Sequence, residues 1–146
     1  MISNNKPDKE GKTSLLWAAR KGHESVMKQL VNRQDVNPDK AENKGRTPLS
    51  WAARRVHGPV VKQLLDRREV IPEKADNDGR TPLSWAAMKG HEPVVKQLLD
   101  QRDVNPSKPD TSGHIPLYCA SNGGHEGVVN LLQVWKLLIL AFFPVD

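Results

Sequence analysis

The segment Gly-Arg-Thr-Pro-Leu-Ser-Trp-Ala-Ala begins at Gly45 and again at Gly79, 34 residues later. Looser copies in the same phase begin at Gly11 and Gly113, and residues 43–76 and 77–110 agree at 24 of 34 positions. A fixed period of this length constrains the fold more than any composition does. Each unit must be one supersecondary element that buries its apolar face only by stacking on its neighbours. Such arrays offer long surfaces for partners, so the same feature points towards binding. The chain's 37% hydrophobic and 5% aromatic content is lean for one large core but suits the thin apolar layer of an array.

One unit can be read from its residues. Thr47 followed by Pro48 is a helix start: a hydroxyl to cap, then a proline where its missing N–H costs nothing. Leu49, Trp51, Ala52 and Ala53 then give a short helix with an apolar face, on which alanines let a neighbour come close. A second helix is expected from Pro59, with Val60, Val61, Leu64 and Leu65 as its apolar stripe. Between units, runs of Asp, Asn, Pro and Gly mark turn-bearing loops. The spacing predicts an all-α solenoid of four helix-turn-helix units with loop fingers. First helices are expected near 13–21, 48–55, 82–89 and 116–122, and second helices near 24–32, 59–67, 93–101 and 126–140. The corresponding division is a lead at 1–7, an array at 8–134 (8–41, 42–75, 76–109 and 110–134) and an apolar extension at 135–146.

A period of 34 also fits tetratricopeptide repeats, and the residues decide between the two. Gly-x-Thr-Pro-Leu-x-x-Ala-Ala, followed by Gly-His-x-x-Val-Val-x-x-Leu-Leu, resembles the ankyrin repeat over residues 8–132, with Thr81-Pro82-Leu83 and Gly90-His91-Glu92 as its closest matches. Ser50 and Ser84 replace the histidine usual after Thr-Pro-Leu, tryptophan fills the next position, and each unit is one loop residue longer. With the Asp-Val-Asn-Pro segments at Asp35 and Asp103, these variants resemble the ankyrin arrays of large fungal receptor-type (NACHT/STAND-like) proteins. That likeness implies a sensor or scaffold part of a larger protein.

The departures carry expectations of their own. Val56 stands where other units have Gly22, Gly90 and Gly124. If that turn needs a positive φ, a β-branched residue there is strained; otherwise Gly58 takes up the turn one residue late. The fourth unit has Ile115 for the capping threonine and Cys119 for the tryptophan, as expected of a terminal cap.

Candidate chemistry is thin. His23, His57, His91 and His125 recur 34 apart. Stacked helices lie ~8–10 Å apart while zinc needs bonds of ~2.0–2.1 Å, so successive histidines cannot share one ion. They read as hydrogen-bonding residues of the turn, and Glu24, Glu92 and Glu126 as favouring the second helix through its dipole. Trp17, Trp51 and Trp85 read as core residues rather than base-stacking platforms. Cys119 lacks a base partner, and no phosphate loop, dinucleotide fingerprint or serine elbow occurs. No enzyme, metal or cofactor is implied.

Charge is more telling. In ankyrin relatives the partner meets the finger tips and the ends of the first helices along the concave side. Carried onto this sequence, that surface holds Lys9, Lys12, Arg20, Lys21, Lys44, Arg46, Arg54, Arg55, Arg80, Met88, Lys89 and His114, with Glu10, Asn43, Asn77, Asp78, Thr111, Ser112, Asn122 and Gly123. Ten of these 20 residues are basic and two acidic, a net +8; the whole chain carries +5, which leaves −3 elsewhere. The expected partner is an acidic protein segment, with nucleic acid as the alternative.

One cysteine, no apolar run at the start and no Asn-x-Ser/Thr acceptor fit a cytoplasmic protein, with the nucleus as the alternative. The last stretch breaks the pattern: Trp135, then Leu137 to Phe143, seven apolar residues in a row. A spanning helix needs ~20. The expectation is a lengthened last helix, one face covering the fourth unit and the rest prone to self-association or adsorption at a membrane surface.

Overall fold

The computed structural model describes residues 6–142. Residues 1–5 of the expected lead and 143–146 of the extension lie outside it. The described residues form eight helices and no strand: α1 (Ser14–Lys21), α2 (Glu24–Val31), α3 (Pro48–Arg54), α4 (Gly58–Leu65), α5 (Pro82–Lys89), α6 (Glu92–Leu99), α7 (Pro116–Asn122) and α8 (Glu126–Phe142). The first helices α1, α3, α5 and α7 stack as one layer, and α2, α4, α6 and α8 as a second. This is the expected all-α ankyrin-type solenoid.

The caps explain where the first helices start. Thr13, Thr47 and Thr81 hold extended backbone, and their hydroxyls accept from Leu16, Ser50 and Ser84 N–H at 3.2, 3.2 and 3.1 Å. Such a cap stabilises by about 1 kcal/mol. Ser50 and Ser84 are buried and lie 3.2 and 3.1 Å from the same threonine hydroxyls, so a serine at this position is satisfied within its own repeat. Ile115 opens α7 with no side-chain cap.

Helices α4 and α6 begin at Gly58 and Glu92, one residue before the expected prolines. The carbonyls of His57 and His91 already accept from Val61 and Val95 N–H, which leaves proline at the second helical position, where its N–H is also dispensable. The core runs between the layers: Leu15, Leu49 and Leu83 with their alanine pairs on one side, Met27, Val60, Val61, Leu64, Val94, Val95 and Leu98 on the other. Between repeats the fingers join through backbone bonds from Asn43 to Glu10, Asn77 to Lys44 and Thr111 to Asp78, at 2.9, 3.0 and 3.0 Å.

The turn alternatives are resolved. Val56 has φ 66°, alongside Gly22 at 73°, Gly90 at 74° and Gly124 at 72°. Gly58 is already helical. Helix α8 extends to Phe142, but only Val128 and Leu132 are buried, with Trp135 packed partly against the core. Leu137, Leu138, Leu140 and Phe142 stand in solvent.

Candidate functional site

A helix places residues three apart on one face, so Arg20 follows Trp17 and Arg54 follows Trp51 on the exposed side of the first helices. Stacking of the repeats then interleaves the two kinds of side chain. The Arg20 guanidinium lies 5.1 Å from the Trp17 ring centre and 4.8 Å from that of Trp51. Arg54 lies 5.3 Å from Trp51 and 4.7 Å from Trp85. The fingers add a cation over each ring: Lys12 over Trp17 at 4.9 Å, Arg46 over Trp51 at 4.6 Å and Arg80 over Trp85 at 5.1 Å. Arg55 approaches Trp51 at 5.9 Å. Each such contact contributes roughly 0.5–1 kcal/mol when exposed and about 2 when desolvated. Together they hold like charges side by side.

The core expectation holds for Trp51 and Trp85, which are 5% and 6% exposed, with guanidinium groups lying over their rings. Trp17, the first of the three, is 36% exposed. A sequence signal for this existed: a cation recurs five residues before each of these tryptophans, and an arginine three after two of them.

The acidic residue opening each finger sets the ring edge. Asp8 and Asp76 each take two backbone N–H bonds with one oxygen and the indole Nε1 of Trp17 or Trp85 with the other, at 3.1 and 3.0 Å. In the second finger the equivalent is Glu42. Its Oε1 accepts from Lys44 N, Arg46 N and, at 3.3 Å, Arg46 Nε, and the buried Trp51 Nε1 has no partner among the described residues. In the fourth finger Asp110 has no indole to meet, since Cys119 fills that slot, and lies 3.8 Å from Arg80 and from His114.

Among the expected site residues, Arg20, Lys21, Arg54, Arg55 and Lys89 form a patch at the ends of α1, α3 and α5. None of these five has a carboxylate within ion-pair distance among the described residues. Burial, then the charges of Arg46, Arg55, Arg20 and Arg80, push the Arg54 guanidinium below its ordinary value. It remains a cation regardless. Arg54, Arg55, Val56 and Lys89 line a recess of about 310 Å³. A second, also about 310 Å³, lies between the first two fingers, where Glu10 and Glu42 line it together with Lys12, Arg20, Lys44 and Arg46.

The remaining site residues are placed differently. Lys9 and Lys44 are exposed finger-tip residues, while Lys12 bonds to Glu10 and Arg46 to Glu42. Met88 takes the ladder position of Arg20 and Arg54 without a charge. His114 stacks on Tyr118 at 4.3 Å. The basic ladder thus ends at the third repeat.

The histidines act between repeats rather than within the turn. Nε2 of His57, His91 and His125 lies 3.1, 3.3 and 2.9 Å from the main-chain carbonyls of Arg20, Arg54 and Met88 in the preceding repeat. They fix the backbone that carries the ladder. Burial, with the charges of His125 and Lys89, lowers the His91 pKa, against the bond to Arg54 that raises it. Burial, with the charge of Asp110, pushes the Cys119 thiol up, away from the reactive thiolate. No cluster of three metal-ligating side chains occurs among the described residues, and none of their helices is long and apolar enough to cross a membrane.

Paired helices in two layers, threonine-proline starts and inter-repeat histidines define a class of repeat protein whose units mediate contacts with other proteins. The chain belongs to the ankyrin repeat family: the family's model, described as ankyrin repeats (3 copies), matches residues 1–74 and 57–135. No curated protein matches it in sequence.

Proposed function

We propose that this ankyrin array is a non-enzymatic module that binds an acidic protein segment across the ends of α1, α3 and α5. The observation supporting this is the patch of Arg20, Lys21, Arg54, Arg55 and Lys89, five neighbouring cations with no carboxylate at ion-pair distance among the described residues. A surface kept basic only for solubility intersperses both signs; this one concentrates a single sign where it steers an anionic partner. Nucleic acid is the weaker reading, because Trp51 and Trp85 are covered and offer no open ring for a base to stack on. The likeness of the units to those of fungal receptor-type proteins supports a sensor or scaffold role within a larger protein of the cytoplasm or nucleus.

Replacing Arg54 and Arg55 together with glutamate is the direct test. Association with an acidic peptide should slow by more than tenfold at low ionic strength, with the loss shrinking as salt rises. Equal association rates would sink the assignment of this face. Duplex DNA binding that outlasts physiological salt would move the reading to nucleic acid.

The exposed side of α8 supports self-association. Leu137, Leu138, Leu140 and Phe142 together form an apolar strip unpartnered among the described residues. Deleting residues 136–146 should lower the apparent mass in sedimentation at high concentration while the helical signal of the first three repeats persists. Cooperative unfolding of the truncated chain would instead make this segment a structural cap.

A further inference from the structure

The acidic-segment reading leaves open what shape of segment fits, and the patch has a period that restricts it. Lys21, Arg55 and Lys89 occupy the same position in three successive repeats, at the last turn of α1, the C-cap of α3 and the last turn of α5. All three residues are exposed and lack a carboxylate partner among the described residues. Stacked helices are ~8–10 Å apart, so the row offers one cation per step of that length. Arg20 and Arg54, held between indoles, form a second row in the same phase. The arginine row stops at Met88 in the third repeat, and the outer row stops at Gly123 in the fourth.

An extended partner must present anions at the same step on one side. In a β-strand, same-side residues recur every ~6.6–6.8 Å, which misses it. In an α-helix, charges coincide with the row only at seven residues, ~10.5 Å, and the helix needs a channel ~10–12 Å wide. A polyproline II segment has three residues per turn and ~3.1 Å rise, so every third residue returns to the same side after ~9.3 Å. We propose that the array recognises a polyproline II segment with acidic residues at i, i+3 and i+6, one per repeat along Lys21, Arg55 and Lys89. The inference rests on the acidic-segment reading and adds register to it.

Three proline-rich peptides of one composition test it, each with three glutamates: spaced by three, spaced by two, or contiguous. A fourth, alanine-rich and helical, carries three glutamates seven apart. By fluorescence anisotropy the peptide spaced by three should bind about tenfold more tightly than the others, as two further surface ion pairs would allow. A fourth glutamate at i+9 should add less than about twofold, since Gly123 faces it. Arg55→Gln should erase the advantage of the spaced peptide, with an unchanged melting curve as control. Equal binding of all the acidic peptides, or preference for the helical one, overturns the register while leaving the acidic-segment reading standing. No binding by any of them removes both.

Discussion

Residues 43–76 and 77–110 agree at 24 of 34 positions, yet the second and third repeats are not energetic copies. In the third, α5 runs to Lys89 and ends on Gly90 at φ 74°, whose N–H closes back on Ala86 and Ala87. In the second, α3 stops one residue sooner at Arg54, and Val56 takes the left-handed position at 66°. The third finger opens on Asp76, which satisfies its tryptophan; the second opens on Glu42, which does not. Two side chains thus separate a relaxed unit from a strained one on the same backbone plan. The array imposes its geometry on a unit whose local sequence opposes it, because every neighbouring interface depends on that geometry.

Transplanting the difference should give the largest effects. A Cβ at Gly90 would meet the His125 ring at 2.4 Å from Nδ1, and the backbone there is left-handed. Gly90→Val should therefore cost about 2–4 kcal/mol, combining left-handed strain with overpacking. The reverse change, Val56→Gly, should stabilise by about 1–2 kcal/mol. Chemical denaturation of both variants checks the pair. A Val56→Gly variant no more stable than the parent would mean that Val56 is not strained and that the two repeats are equivalent at this turn.

The finger residues should give a smaller, paired effect. Glu42→Asp shortens the side chain so that one oxygen can reach Trp51 Nε1, as Asp8 and Asp76 reach theirs. A buried donor without a partner costs about 1–3 kcal/mol, and part of that is recovered, so a gain of about 1 kcal/mol is expected. Asp76→Glu should lose a similar amount. If both changes destabilise, Glu42 is fitted to its own finger by its bond to Arg46, and the comparison fails there.

The phase of the repeat and its first-helix starts were legible in the sequence because each is local. Thr-Pro announces a cap, whereas a valine in a row of glycines left two turns open, and only the structure decided for a positive φ at Val56. The basic residues of the proposed face were chosen as a set, since the family's pattern assigns their positions. What sequence reasoning missed lies between repeats. Tryptophan flanked by alanines reads as core, and only stacking reveals that Arg20 and Arg54 slide between successive indoles. The histidines likewise read as turn residues, although their acceptors are 37 residues away in the preceding repeat. Contacts made across a period leave no signal within it.

The interface joining the two compared repeats should respond to pH, and this is the smallest effect expected. His91 belongs to the third repeat and bonds the Arg54 carbonyl of the second. Burial holds its pKa below the ordinary 6.5. The folded state thus favours the neutral ring, and as pH falls the unfolded chain takes up this proton first. Stability tied to His91 is present above pH 6.5 and is lost as pH falls through the lower folded value. Urea unfolding at pH 7.5 and 5.5 should show a lower midpoint at the acid value for the parent chain. In His91→Gln, which keeps a donor towards the Arg54 carbonyl but cannot titrate, that difference should narrow. Equal acid shifts in parent and variant would place the pH sensitivity elsewhere in the array and remove His91 as the link between the relaxed repeat and the strained one.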